Sequence, residues 1–121
     1  MFLNKTGYFE MRPLPDASQL APAFDLCAED LDDDGAVDLF LAQNAFGVPE
    51  RTSRYDSGRG LLLRGDGTGN FVAVPASGSV IALYGEQRGV TAADFNNDGR
   101  ADLAVGQRGA ATRLFINRKT D

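Results

Sequence analysis

The sequence predicts an all-β fold, a partial β-propeller of about two four-stranded antiparallel units, and three observations lead to it. One segment recurs: FDLCAEDLDDDGAVDLFLAQ, Phe24 to Gln43, aligns without a gap on RGVTAADFNNDGRADLAVGQ, Arg88 to Gln107. Within each copy apolar residues alternate with polar or small ones, as at Leu26 and Ala28 or Val90 and Ala92, the period of a strand with one buried face. Helical periodicity is absent, and 14 glycines punctuate the 121 residues with turns. Short strands recurring between Gly-marked turns are the pattern of propeller blades. A small β-sandwich is the alternative architecture.

Taken in order, residues 1–4 and 8–12 are two strands around a turn at Gly7. Pro13, Pro15 and Pro22 make the next stretch a loop. Strands at 23–29 and 37–42 flank the acidic turn, and a loop over 44–59, with Pro49 and Gly58, leads to strands at 60–64 and 71–74. The second copy repeats the plan with strands at 88–93, 101–106 and 112–117. The chain thus divides into residues 1–12, the last strands of a preceding blade; 23–74, one complete blade; and 88–117, three strands of a next blade. Two blades and a remnant cannot close a ring, and open sheet edges are a liability. The missing blades are expected from a longer chain or from other copies in a homo-oligomer.

Composition removes several function classes. Twelve basic against 17 acidic side chains leave a net charge of −5, and no Lys/Arg cluster offers a nucleic-acid surface. No apolar run approaches the ~18 residues that span a bilayer, and MFLNKTGYFE lacks the apolar stretch of a secretory signal. The chain has no histidine, which excludes Ser-His and Cys-His catalysis and His-liganded metals. Cys27 is the one cysteine, so no internal disulfide forms, and its apolar setting reads as a buried small hydrophobe.

The stretch DLDDDGAVD crowds five aspartates into Asp30–Asp38, and like charges so close need water or a cation. Counting from Asp30, oxygen side chains fall at positions 1, 3, 5 and 9: Asp30, Asp32, Asp34 and Asp38. Gly35 at position 6 permits a sharp turn, and the Ala36 backbone carbonyl at position 7 can point inward. The twin loop, 94–102, supplies Asp94, Asn96, Asp98 and Asp102 with Gly99 and the Arg100 backbone carbonyl. Alternate residues of a tight loop converge on one centre, and an all-oxygen set suits Ca²⁺ better than the smaller, stricter Mg²⁺. An EF-hand would need a glutamate at position 12, where Leu41 and Val105 stand, and helical flanks. The expectation is two calcium-binding β-hairpin loops, with Asp33 and Asn97 facing outward.

The motifs EDLDDDGAVDLFLAQN and ADFNNDGRADLAVGQ, with LLLRGDGTGNF and LFIN, resemble FG-GAP/VCBS repeats, the calcium-loop blades also found in the integrin alpha-subunit head. The likeness is closer to bacterial ASPIC/UnbV-associated repeat proteins related to cartilage acidic protein. It implies propeller blades, calcium ligands at the eight side chains named above, and an extracellular, periplasmic or cell-envelope adhesion or scaffold role.

The functional expectation is a calcium-binding, non-enzymatic repeat module for protein–protein interaction. A calcium-dependent carbohydrate-binding propeller is the alternative, with Phe46, Tyr55 and Tyr84 as its aromatic candidates; a metal-assisted hydrolase ranks last, since the carboxylates are committed to loops. The RGD triplet Arg64–Asp66 reads as part of a Gly-rich hairpin turn rather than an adhesion ligand. Glu86, Arg88 and Tyr84 offer an inter-blade contact or a ligand rim, with bonds inside their own sheet expected first. Gln43 and Gln107 end equivalent strands and are expected to bond to backbone; Arg51, Arg54 and Arg59 are candidates for pairing with acidic turns or a partner.

Overall fold

A computed structural model describes residues 1–44, 59–75, 78 and 81–118. Nine strands build three antiparallel sheets. The first is a hairpin of β1 (Phe2–Lys5) and β2 (Tyr8–Met11). The second is a four-stranded meander of β3 (Ala23–Glu29), β4 (Asp38–Gln43), β5 (Leu61–Gly65) and β6 (Phe71–Ala73). The third holds β7 (Gln87–Ala93), β8 (Asp102–Gln107) and β9 (Ala110–Phe115). Every expected strand is present, with bounds shifted by at most two residues. Three successive sheets, rather than two facing ones, fit propeller blades and not a sandwich. One short 3-10 turn, Asp16–Gln19, stands in the proline-rich stretch read as loop.

Strand β4 is buried at all six positions, because each of its faces is covered by a different neighbour. Leu39 and Leu41 join Leu63 on one face, against Leu14, Leu61, Phe71 and Ala73. Phe40 points the other way, into a cluster with Leu83, Leu103 and Val105 from the segment before β7 and from β8. Cys27, Leu31 and Leu62 pack there too, so this cluster joins the second sheet to the third. Cys27 is half-buried rather than fully inside, and burial pushes its thiol above the ordinary value.

The register makes the faces of the two larger sheets correspond. Leu39 pairs with Leu63, and Leu103 pairs with Phe115. Leu39 and Leu41 therefore map on Leu103 and Val105, and the face turned toward the preceding element is the same in both. The N-terminal hairpin follows this order: Arg12 beside β2 donates to the Asn70 side chain at 2.7 Å, and Leu3 lies over Gly69, leaving no space there for a side chain. Between the second and third sheets, the innermost strands are tied by the Val90 N–H donating to Asp25 Oδ2 at 2.9 Å.

Phe40 is 0% exposed and is shared by both sheets. Phe40→Ala is expected to cost about 3–5 kcal/mol of stability, read as a lowered urea midpoint at unchanged slope; a change below about 1 kcal/mol would mean that the sheets pack without it.

Candidate metal centre

The two acidic loops join equivalent strands, β3 to β4 and β7 to β8, and their hydrogen bonds repeat. The Asp30 carboxylate accepts from the Asp34 and Gly35 N–H groups at 3.2 and 2.9 Å. Asp94 accepts from Asp98 and Gly99 at 3.0 and 2.7 Å. Asp34 takes the Ala36 N–H at 2.8 Å, as Asp98 takes that of Arg100 at 3.0 Å. The turn needs two left-handed residues: Asp33 and Asn97 have φ of 61° and 60°, and Gly35 and Gly99 have 88° and 84°. Asp and Asn tolerate that region better than most side chains, and glycine enters it freely. Asp33 and Asn97 are exposed, as their position in the loop predicts.

Position 9 behaves differently from the rest. Asp38 and Asp102 are 2% and 0% exposed, and each carboxylate grips two backbone N–H groups. Asp38 accepts from Leu31 at 3.1 Å and from Gly65 at 2.9 Å. Asp102 accepts from Phe95 at 2.9 Å and from Asn117 at 2.8 Å. In each case one N–H lies in the loop and the other at the end of the third strand. Burial pushes the Asp38 carboxyl above its ordinary value, against the pull of the Gly65 and Leu31 N–H groups, and the charges of Asp32 and Asp34 add to the rise. A cation beside Asp38 would reverse that balance by favouring the ionised form.

Among the described residues, Asp30, Asp32 and Asp38 each place one carboxylate oxygen within 4.8 Å of the others. Three hard oxygen donors so close together can hold a metal ion. Asp34 stands outside this group, its carboxylate turned to the Ala36 N–H. Asp32 also pairs with Arg64, Nε to Oδ2 at 2.6 Å. In the second loop Asn96 replaces the Asp32 carboxylate, so the group of three acids is not reproduced among the described residues. The Asn96 amide donates to Asp98 at 3.0 Å, and Arg100 pairs with the same carboxylate at 2.6 Å. These contacts, the Asn96 bond foremost, hold the Asp98 carboxyl below its ordinary value.

The other sequence candidates resolve as follows. Asp66 of the RGD triplet accepts from both the backbone and the side chains of Thr68 and Asn70. Its carboxyl is held far below the usual range, most of all by the Thr68 hydroxyl, and Arg64 is committed to Asp32. Arg88 reaches beyond its own sheet: it pairs with Glu86 at 3.1 Å, donates to the Asn44 carbonyl at 3.1 Å and lies 3.7 Å over the Phe24 ring. The bonds expected inside one sheet are thus in part a bond between sheets. Arg59 stacks over Tyr84 at 4.8 Å. Gln43 and Gln107 donate to the Ala21 and Ala111 carbonyls at 3.2 and 2.9 Å. Phe46, Arg51, Arg54 and Tyr55 lie outside the described residues.

Two residues were not singled out by sequence reasoning. Asp25 ties the innermost strands, and its signal was no more than an acid inside an apolar strand. Asn117, from LFIN, donates its side-chain N–H to the Leu31 carbonyl in the other loop at 2.9 Å. The same motif position is Gly65 in the second sheet, which hid the role.

The FG-GAP-like repeat family matches residues 30–105, from the first acidic loop into β8. The chain belongs to that family. It is 36% identical to Cartilage acidic protein 1 of Xenopus tropicalis over 66 residues, 54% of this chain and 10% of the relative. It is 35% identical to Cartilage acidic protein 1 of Homo sapiens over 65 residues, again 54% of this chain and 10% of the relative. The chain therefore spans about a tenth of the length of these curated relatives. No solved structure matches it significantly.

Removing the position-9 carboxylate strands two backbone N–H groups, and each buried unsatisfied group costs about 1–3 kcal/mol. In chelator, Asp102→Ala is expected to lose about 2–5 kcal/mol by chemical denaturation, and Asp34→Ala, at an exposed turn, about 1 kcal/mol or less. Equal losses would mean that position 9 holds the fold no more than the turn does.

Proposed function

We propose that the chain is a calcium-binding, non-enzymatic repeat module whose blades act as a protein-interaction or adhesion scaffold outside the cell or in the cell envelope. The observation that carries the calcium reading is the convergence of Asp30, Asp32 and Asp38 oxygens within 4.8 Å. The donors assigned to the first ion are Asp30, Asp32, Asp34, the Ala36 carbonyl and Asp38. Those assigned to the second are Asp94, Asn96, Asp98, the Arg100 carbonyl and Asp102. All are oxygens, the chemistry calcium prefers, and weak sites fill readily at extracellular calcium levels. A structural role follows from the position-9 carboxylates, which already belong to the sheet framework. Non-enzymatic action is supported by the lack of histidine and by the commitment of the loop acids to backbone N–H groups.

Calcium is expected to raise the melting temperature, and the double variant Asp30→Ala/Asp94→Ala to remove most of that rise. Differential scanning calorimetry with calcium, with magnesium and with chelator checks it. No calcium-dependent shift, or an equal shift in the double variant, would end the reading.

We also assign residues 1–12, 23–74 and 88–117 to the end of one blade, a whole blade and three strands of a third. Support comes from the two outermost sheet faces. Phe2, Phe9 and Met11 are 67, 68 and 74% exposed on the face away from the second sheet. At the other end Leu114 is 53% and Phe95 45% exposed. By register Phe95 corresponds to Leu31 and Leu114 to Leu62, which are covered by the third sheet. Both faces therefore suit further blades, from a longer chain or from copies of this one. Light scattering of the 121-residue chain is expected to show association that Phe9→Asp and Leu114→Asp each reduce. A monomer indifferent to both substitutions would rule out copies of this chain as the source.

A further inference from the structure

We infer that Asn117 couples the two acidic loops, so that order or calcium in one loop strengthens the other across the sheet interface. The calcium half of this inference rests on the proposed function; the structural half does not. The connection is continuous. Phe95, at position 2 of the second loop, and Asn117 both donate their backbone N–H to Asp102, at 2.9 and 2.8 Å. The Asn117 carbonyl accepts from Arg100 Nε at 3.3 Å, and the Arg100 guanidinium also holds Asp98 at 2.6 Å. Two residues of the second loop, Asp102 and Arg100, thus fix the backbone of Asn117, and Phe95 and Asp98 brace those two. Its side-chain amide then crosses to the Leu31 carbonyl at 2.9 Å. Leu31 is position 2 of the first loop, and its own N–H is held by Asp38 at 3.1 Å. Asp38 is one of the three converging carboxylates.

The bond is specific to this pair of sheets. At the position equivalent to Asn117 the second sheet has Gly65, which keeps the backbone N–H bond to Asp38 but has no amide to extend. The linkage also has a defined direction of donation, since the Leu31 carbonyl only accepts. Both ends are half-buried, so water competes less than at the exposed turn. Moving the second loop shifts Asn117, and either lengthens the bond to Leu31 or pulls on it. A cation that fixes the second loop therefore favours the arrangement in which Leu31 and Asp38 are already placed, and linkage makes the effect mutual.

Two measurements on the 121-residue chain test this. In chelator, hydrogen exchange at the Leu31 amide is expected to quicken about fivefold in Asn117→Ala, roughly the ratio one ordinary hydrogen bond supplies. Asp102→Asn, far along the chain, should quicken it as well, but not further when Asn117 is already replaced. With calcium, calorimetric titration of Asp94→Ala is expected to show first-loop affinity weakened about fivefold, the lower range of ordinary coupling. That weakening should vanish in the Asn117→Ala background. If Asn117→Ala does not fold, Asn117→Asp replaces the donor by an acceptor at constant size and serves in both arms. Leu31 exchange indifferent to Asn117 and Asp102 overturns the coupling, as does a first-loop affinity indifferent to Asp94→Ala. If neither loop takes calcium, the proposed function fails and the exchange arm alone decides the coupling.

Discussion

The rest of this fold depends on one kind of interaction, a buried carboxylate shared between a loop and the strand two places on. Asp38 and Asp102 each bind one N–H in the turn and one at the end of the third strand. An ionised acid is costly inside a protein unless its oxygens are satisfied, and here both are. The turn, the second strand and the third strand are thereby fixed together, and the alternating apolar residues of the second strand gain a definite register. With register set, Leu39 and Leu41 face one neighbour and Phe40 the other. A slip of one residue would exchange those faces and lose both clusters.

The same carboxylate connects the architecture to the acidic cluster of the first loop. Each loop has turn acids that hold their own backbone and a buried acid that holds the sheet. Asp30 and Asp38 serve these framework bonds while presenting oxygens close to Asp32. The loop thus reaches its shape through N–H donors before any cation is considered. Mutual repulsion among Asp30, Asp32, Asp34 and Asp38 is what a cation would relieve. The two loops divide at position 3, where the first carries an acid balanced by Arg64 and the second an amide that props Asp98.

Much of this was legible in the sequence because the repeat is internal. Two copies of the loop in register expose the oxygen positions, the glycine and the flanking strands without outside comparison. Strand positions followed from the repeat and its Gly-marked turns, whereas the covering of both faces at Leu39, Phe40 and Leu41 emerges only from the structure. The third dimension was less visible. Asp38 reads as one more loop acid, and nothing local says that it is buried or that Gly65 completes it. Arg88 looked like a partner within its own sheet, whereas Phe24 and Asn44 on the next sheet receive it. Asn117 and Asp25 act between sheets, and contacts between repeats leave no periodic trace when the copies have diverged at those positions.

The reach of the position-9 carboxylate also marks a boundary inside the repeat. It gathers the loop and three strands, and it stops short of the fourth, which in the second sheet is the brief Phe71–Ala73. The loop and these three strands hold one another in register through that single carboxylate. The fourth strand is held instead by its pairing with Leu63, Arg64 and Gly65 and by Phe71 and Ala73 packing on the Leu39–Leu41–Leu63 cluster. In mechanical terms the loop and three strands form one clamped unit, and the fourth strand is an outer rail that the carboxylate clamp does not reach.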